Sequence, residues 1–182
     1  MRPAIALGLI LLAGSAVSAE HLRMHLVQPT GPQLTLQKLV RTNDLFAKFS
    51  GQIWVTGTVI GRWPEGATNV NHKEPDYLLV PDRDSVAKLP YFVLREPPYF
   101  NQYKVRSIDL VNGVDALRLA VGESQVRRLL ERRVNHVRAT GRFLIEQYVV
   151  GVECDAPWAR AVLVEAQLPE QSAKYNAIPE GC

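Results

Sequence analysis

Gly51-Gln52-Ile53-Trp54-Val55-Thr56-Gly57-Thr58-Val59-Ile60-Gly61-Arg62-Trp63 is the stretch on which the reading of the fold turns. Ile53, Val55 and Val59 fall at alternate positions, with Gly57 and Gly61 in the same phase. One face of this segment is therefore apolar and is interrupted twice by residues without a side chain. That pattern predicts a long strand that bends, because glycine inside a strand marks a bulge or a corner. It returns from Val137 to Ile145, where Val137, Ala139, Gly141, Phe143 and Ile145 alternate with Arg138, Thr140, Arg142 and Leu144. Thr140-Gly141 echoes Thr56-Gly57, so two bent strands bracket the middle of the chain.

Outward from these strands, the first residues read as a secretory signal. Arg2 precedes an apolar run from Ile5 to Leu12, and small residues end in Ala16-Val17-Ser18-Ala19. The expectation is export to the periplasm or medium after cleavage near Ala19. The run is shorter than the roughly 20 residues a membrane span needs, so the mature chain is expected to lack a transmembrane span. Lys and Arg number 21 against 18 Asp and Glu, a net charge of +3, which does not suit a protein dedicated to coating nucleic acid. The two cysteines, Cys154 and Cys182, are expected to form a disulfide in an oxidising compartment.

The chain divides into a signal over residues 1–19, an N-terminal segment over 20–50, a β-domain over 51–168 and a tail over 169–182. In the N-terminal segment, Thr35 is a plausible cap and Leu36, Leu39, Val40, Phe46 and Phe49 give an imperfect helical face that Gly51 would stop, with Asn43-Asp44 as an interruption. After Trp63 a polar connection runs to Pro75. Tyr77 to Val80 and Tyr91 to Arg95 read as short strands. Val105 to Val111 reads as extended, followed by a hairpin-type turn at Asn112-Gly113. Asp115 to Ala120 suits strand or helix equally. Gly122 to Val134 is a helix with Val126, Leu129, Leu130 and Val134 on one stripe and Arg127, Arg128, Arg132 and Arg133 elsewhere. Tyr148 to Trp158 reads as a loop and Ala159 to Gln167 as a last strand.

A bent strand carrying Val55-Thr56-Gly57-Thr58-Val59, short strands, a helix over Val126 to Val134, a second bent strand over Val137 to Ile145 and a final strand together resemble the oligonucleotide/oligosaccharide-binding (OB) fold. The expected class is thus mainly β, an OB-like barrel with an N-terminal helix and one helix between strands three and four. The resemblance is one of element order, covers about Gln52 to Gln167, and leaves strand three unassigned between Pro81 and Ala120. It implies a ligand face on strands two and three between two flanking loops, here Trp63 to Asp76 and Gln147 to Trp158. The candidate ligand-binding residues are Trp63, His72, Tyr77, Tyr91, Tyr148 and Trp158, whose rings could stack on sugars or bases. Both loops are expected at one end of the barrel, with the helix closing the other.

For other chemistry the sequence offers little. His21 and His25 flank Met24 near the expected new N-terminus, a possible copper set that a frayed, exposed terminus explains better. His72 and His136 stand apart. No histidine pair has zinc spacing, no serine sits on a nucleophile turn, and no phosphate-binding glycine loop occurs. The expectation is a non-enzyme with no catalytic residue, metal or cofactor: an exported binding or adaptor module for an envelope protein, a peptide or a glycan. A small-ligand or metal-handling envelope protein is the alternative, and an enzyme whose site forms only in three dimensions comes third.

Overall fold

The computed structural model describes residues 23–29, 33–41, 44–65, 73–96 and 99–169. The candidate signal, His21, His72 and Cys182 lie outside them. The chain is mainly β, with strands β1 (Met24–Val27), β2 (Leu34–Arg41), β3 (Leu45–Arg62), β4 (Asp76–Pro81), β5 (Tyr91–Glu96), β6 (Tyr99–Tyr103), β7 (Ile108–Leu110), β8 (His136–Glu153) and β9 (Ala156–Gln167). Its described helices are α1 (Arg83–Val86), α2 (Gly113–Val121) and α3 (Glu123–Leu130). Among the described residues no helix is long and apolar enough to cross a membrane.

The bent strand is longer than its glycines alone suggest. β3 pairs with β8 from Leu45↔Val152 to Arg62↔His136, with Gly57 facing Gly141. Its other edge is shared: β2 takes Leu45 to Gly51, and β4 takes Gly57 to Arg62. The handover is at the bend, where Gly51 has φ 95° and a Cβ would collide with the Gln33 carbonyl oxygen, so only glycine fits. The pairings β3–β4, β4–β7, β7–β9, β9–β8 and β8–β3 return to the strand from which they start, with β7 and β9 parallel and the others antiparallel. β1, β5 and β6 form a separate antiparallel sheet.

One core serves both sheets. Leu45, Ala47, Phe49, Ile53, Val55 and Val59 point inward from β3, and Phe143, Ile145, Tyr148 and Val150 meet them from β8. Met24 and Phe92 join the same cluster from the small sheet. α2 and α3 pack beneath Gly61, where Leu117 and Leu129 fill the space a side chain there would need. Leu129 is fully buried, a contribution of about 1.5–3 kcal/mol by area.

Several expectations are corrected. No helix forms over Thr35 to Phe49: that span is the β2–β3 hairpin, and Leu45, Ala47 and Phe49 continue the inward phase of Ile53 and Val55. Asn112-Gly113 does not turn a hairpin. Asn112 precedes α2, which settles Asp115 to Ala120 as helical, and its amide donates to the Leu163 carbonyl (2.8 Å) and accepts from the Leu163 N–H (3.1 Å), tying the helix start to β9. Strand three is β7. Tyr148 to Trp158 is no loop either: β8 runs on to Glu153, and Cys154 and Asp155, both at positive φ, make a two-residue turn into β9.

Candidate functional site

The sequence-predicted residues are scattered. Trp63 directly follows β3, its indole N–H donates to the Leu129 carbonyl (2.9 Å), and the Arg132 guanidinium lies 3.7 Å from its ring centroid. It lines a polar cleft of about 860 Å³ with Arg62, Asp76, His136 and Arg138. Tyr77 lies on β4 against Gly113. Its hydroxyl is enclosed without a hydrogen-bond partner among the described residues, and burial, then the Glu74 charge, pushes its pKa up. Tyr91 lies in the small sheet with Lys104 Nζ 5.5 Å from its ring. Trp158 covers Gly151, tilts against Phe46 at 6.5 Å and carries Arg160 at 5.3 Å.

Two corrections follow. Tyr148 is fully buried, beside Phe49 at 6.0 Å with its hydroxyl donating to the Pro90 carbonyl (3.2 Å), so no ligand can stack on it there. Burial raises its pKa. The two expected ligand segments also leave opposite ends of the β3–β8 ladder: Trp63 follows the Arg62↔His136 pair, whereas Trp158 pairs with Gly151 near Leu45↔Val152. α3 closes the Trp63 end, not the far one. Of the possible copper set, Met24 is buried in the core while His25 is exposed, so alternation along β1 separates them.

A better site lies on the outer face of the central strands. With Ile53 and Val55 inward, Trp54 and Thr56 must point out. Arg142, paired with Thr56 across the ladder, lays its guanidinium 5.1 Å from the Trp54 ring centroid. The chain after β4 supplies the wall. Asp82 caps α1 by accepting from the Ser85 N–H (2.7 Å), the Ser85 hydroxyl accepts from the Thr56 N–H (2.9 Å), and the Asp82 N–H reaches the Thr56 carbonyl (2.9 Å). This clamp holds residues 82–90 against β3 and brings Lys88 and Pro90 to the pocket. Gln28, Pro29, Gln33 and Leu34 close it from the ends of β1 and β2.

The enclosed volume is about 430 Å³, within the range of small-molecule sites. Among the described residues its lining holds an indole, two cations, two amides and a hydroxyl, and no carboxylate, imidazole or thiol. Such a set can hold a flat ring against the indole and an anionic substituent against Lys88 and Arg142. Among the described residues, no group of three His, Cys, Asp or Glu side chains is placed to hold a metal. By contrast, the outer positions of β4 and β7, where the OB resemblance puts a ligand, are Asp76, Leu78, Val80 and Asp109, without an outward aromatic ring. Burial raises the pKa of Asp109, with Arg160 opposing and Asp76 adding to the shift.

Sequence reasoning missed Trp54 although the signal was present. A tryptophan in the outward phase of a strand, with arginine in the outward phase of its partner, is a large apolar face placed where the core does not use it. Comparison with protein-family models, with curated proteins and with solved structures finds no match to this chain.

Proposed function

We propose that this protein is an exported binding module built on an OB-like barrel, and that the Trp54 pocket takes an acidic saccharide. The closed order of pairings β3–β4–β7–β9–β8, with helices between the third and fourth of its strands in chain order, supports the barrel reading. The signal pattern of Met1 to Ala19 supports export, and a Cys154–Cys182 bridge belongs to that reading. One observation carries the ligand class: the pocket joins an indole face to Lys88 and Arg142 with no carboxylate in its lining. A sugar ring offers C–H faces to the indole and hydroxyls to Gln28, Gln33 and Thr56, while its carboxylate answers the two cations.

Calorimetric titration with digalacturonate, and with cellobiose as a neutral control, tests the reading. The acidic sugar binds and the neutral one binds at least about tenfold more weakly, a difference of ~1.4 kcal/mol. Trp54→Ala and Lys88→Ala each weaken digalacturonate binding by a similar factor. Equal affinity for the two sugars, or indifference to Trp54→Ala, overturns it. Intact mass of protein recovered from the envelope fraction tests export, with loss of Met1 to Ala19 expected and a full-length cytoplasmic chain refuting it.

A further inference from the structure

Past the Trp54 pocket, the outward positions of β3 and β8 lead to the cleft that Trp63 lines with Ile60, Arg62 and Arg138. Beyond Thr56 and Arg142, the outward pairs are Thr58 with Thr140 and then Ile60 with Arg138, before Arg62 and Trp63 at the end of the strand. Thr56, Arg138, Thr140 and Arg142 are exposed, and the two threonine hydroxyls lie 3.0 Å apart. Arg138 and Arg142 are four residues apart on one strand, about 13 Å, and Trp54 and Trp63 are about 30 Å apart along β3. Of the bordering carboxylates, Asp76 pairs with Arg62 at 3.7 Å, Glu146 accepts from Gln52 at 3.0 Å, Glu165 accepts from Gln167 at 3.1 Å, and Glu65 lines the cleft at the Trp63 end. The strip is thus a hydroxyl-bearing track on which Arg142 and Arg138 stand, with Trp54 in the pocket at one end and Trp63, packed on the core under Arg132, in the cleft at the other.

We infer that this track holds an extended acidic polysaccharide, whose one end enters the Trp54 pocket and whose chain runs past Arg142 and Arg138 to the cleft at Trp63. The inference rests on the acidic-saccharide reading of the Trp54 pocket and extends it to a polymer. Charge complementarity selects an anionic chain, because the Arg138 and Arg142 guanidinium groups stand out from the sheet with no carboxylate partner among the described residues. The side chains between the tryptophans select sugar over nucleic acid. A single-stranded nucleic acid is held by rings on which successive bases stack, whereas here the interval carries threonine, isoleucine and arginine. Hydroxyl groups of a sugar chain pair with Thr58 and Thr140, and its carboxylates meet the arginines.

The experiment follows the three indole N–H signals by two-dimensional NMR during titration with digalacturonate and with octagalacturonate. The dimer shifts Trp54 only. The octamer shifts Trp54 and Trp63 while Trp158, beyond the bend at Gly51, stays in place, and it binds at least about tenfold more tightly, less so as salt is raised. Arg138→Gln weakens the octamer far more than the dimer. An octamer that binds no better than the dimer, or leaves Trp63 unmoved, overturns the extended track while leaving the pocket reading intact. If neither probe moves Trp54, the pocket reading itself falls. Tighter binding of oligo(dT) or oligoglutamate of matched charge overturns the choice of polysaccharide.

Discussion

Replacing Gly57 by alanine should cost far more than replacing Gly61, although both glycines share one phase of one strand. A Cβ on Gly57 would overlap the Val80 carbonyl oxygen and lie 3.0 Å from Pro81 Cα, so it meets backbone. To restore a C···O separation of about 3.3 Å, the end of β4 must retreat by roughly 1 Å. That end carries the Asp82-to-Thr56 and Thr56-to-Ser85 hydrogen bonds, each worth about 1 kcal/mol net. With both bonds lost and overpacking strain of about 1–3 kcal/mol, the cost of Gly57→Ala comes to about 3–5 kcal/mol. A Cβ on Gly61 would lie 2.5 Å from Leu117 Cδ2 and 2.9 Å from Leu129 Cδ2, the far ends of side chains that can turn. Its cost should be about 1 kcal/mol. The entropy that alanine removes from the unfolded chain, about 0.4–1 kcal/mol, applies to both and cancels in the comparison. Urea unfolding followed by circular dichroism, with m-values equal across variants, measures the difference. If Gly61→Ala proves as costly as Gly57→Ala, β4 does not press on Gly57 and the bend has another cause.

Tyr148→Phe should lower stability at neutral pH by about 1 kcal/mol through the lost bond to the Pro90 carbonyl. Because burial raises the pKa of Tyr148, its contribution is intact below the unfolded pKa of about 10 and is lost as pH rises above it. The variant should therefore show a shallower alkaline decline, by up to ~1.4 kcal/mol per pH unit, in denaturation series from pH 8 to 12. Trp54→Ala should leave urea stability within about 0.5 kcal/mol, since its ring faces out. Trp63→Ala should cost about 1–3 kcal/mol, since it removes the bond to Leu129 and the packing over α3. Thiol titration of denatured, unreduced protein should find no free thiol at Cys154 and Cys182, and two would refute the bridge. Asp109→Asn should stabilise the protein more at pH 7 than at pH 3. Burial raises the Asp109 pKa, so its contribution, present below the unfolded value near 4, is lost above its folded value.

The sequence made the two long strands legible from Ile53 to Gly61 and from Val137 to Ile145, where their inward phase is unbroken. It failed where a bulge changes that phase. β2 pairs with β3 through a register shift between Leu36 and Lys38. The extra residue turns a spacing of two into one of three, so Leu36, Leu39 and Val40 imitate one face of a helix. β8 has a similar shift between Glu146 and Val149, with Gln147 at φ 53°. There Ile145 and Tyr148 both point inward three residues apart, and the strand looked as though it had ended. The two largest misreadings have one physical origin: a local irregularity that preserves the face and destroys the period.

The site was harder to read for a different reason. Aromatic residues in connections draw the functional reading, because loops carry function more often than strands do. In this chain the connection after β8 is a two-residue turn, too short to form a pocket wall. The walls come instead from the clamp that Asp82 and Ser85 make on β3, and from the ends of β1 and β2. None of these is near Trp54 in sequence, so only the outward phase of Trp54 and Arg142 could be read beforehand. That phase carries information of its own. An outward tryptophan can serve cross-strand packing, as the Arg142 guanidinium over the Trp54 ring does, and the proposed function adds a ligand to that role.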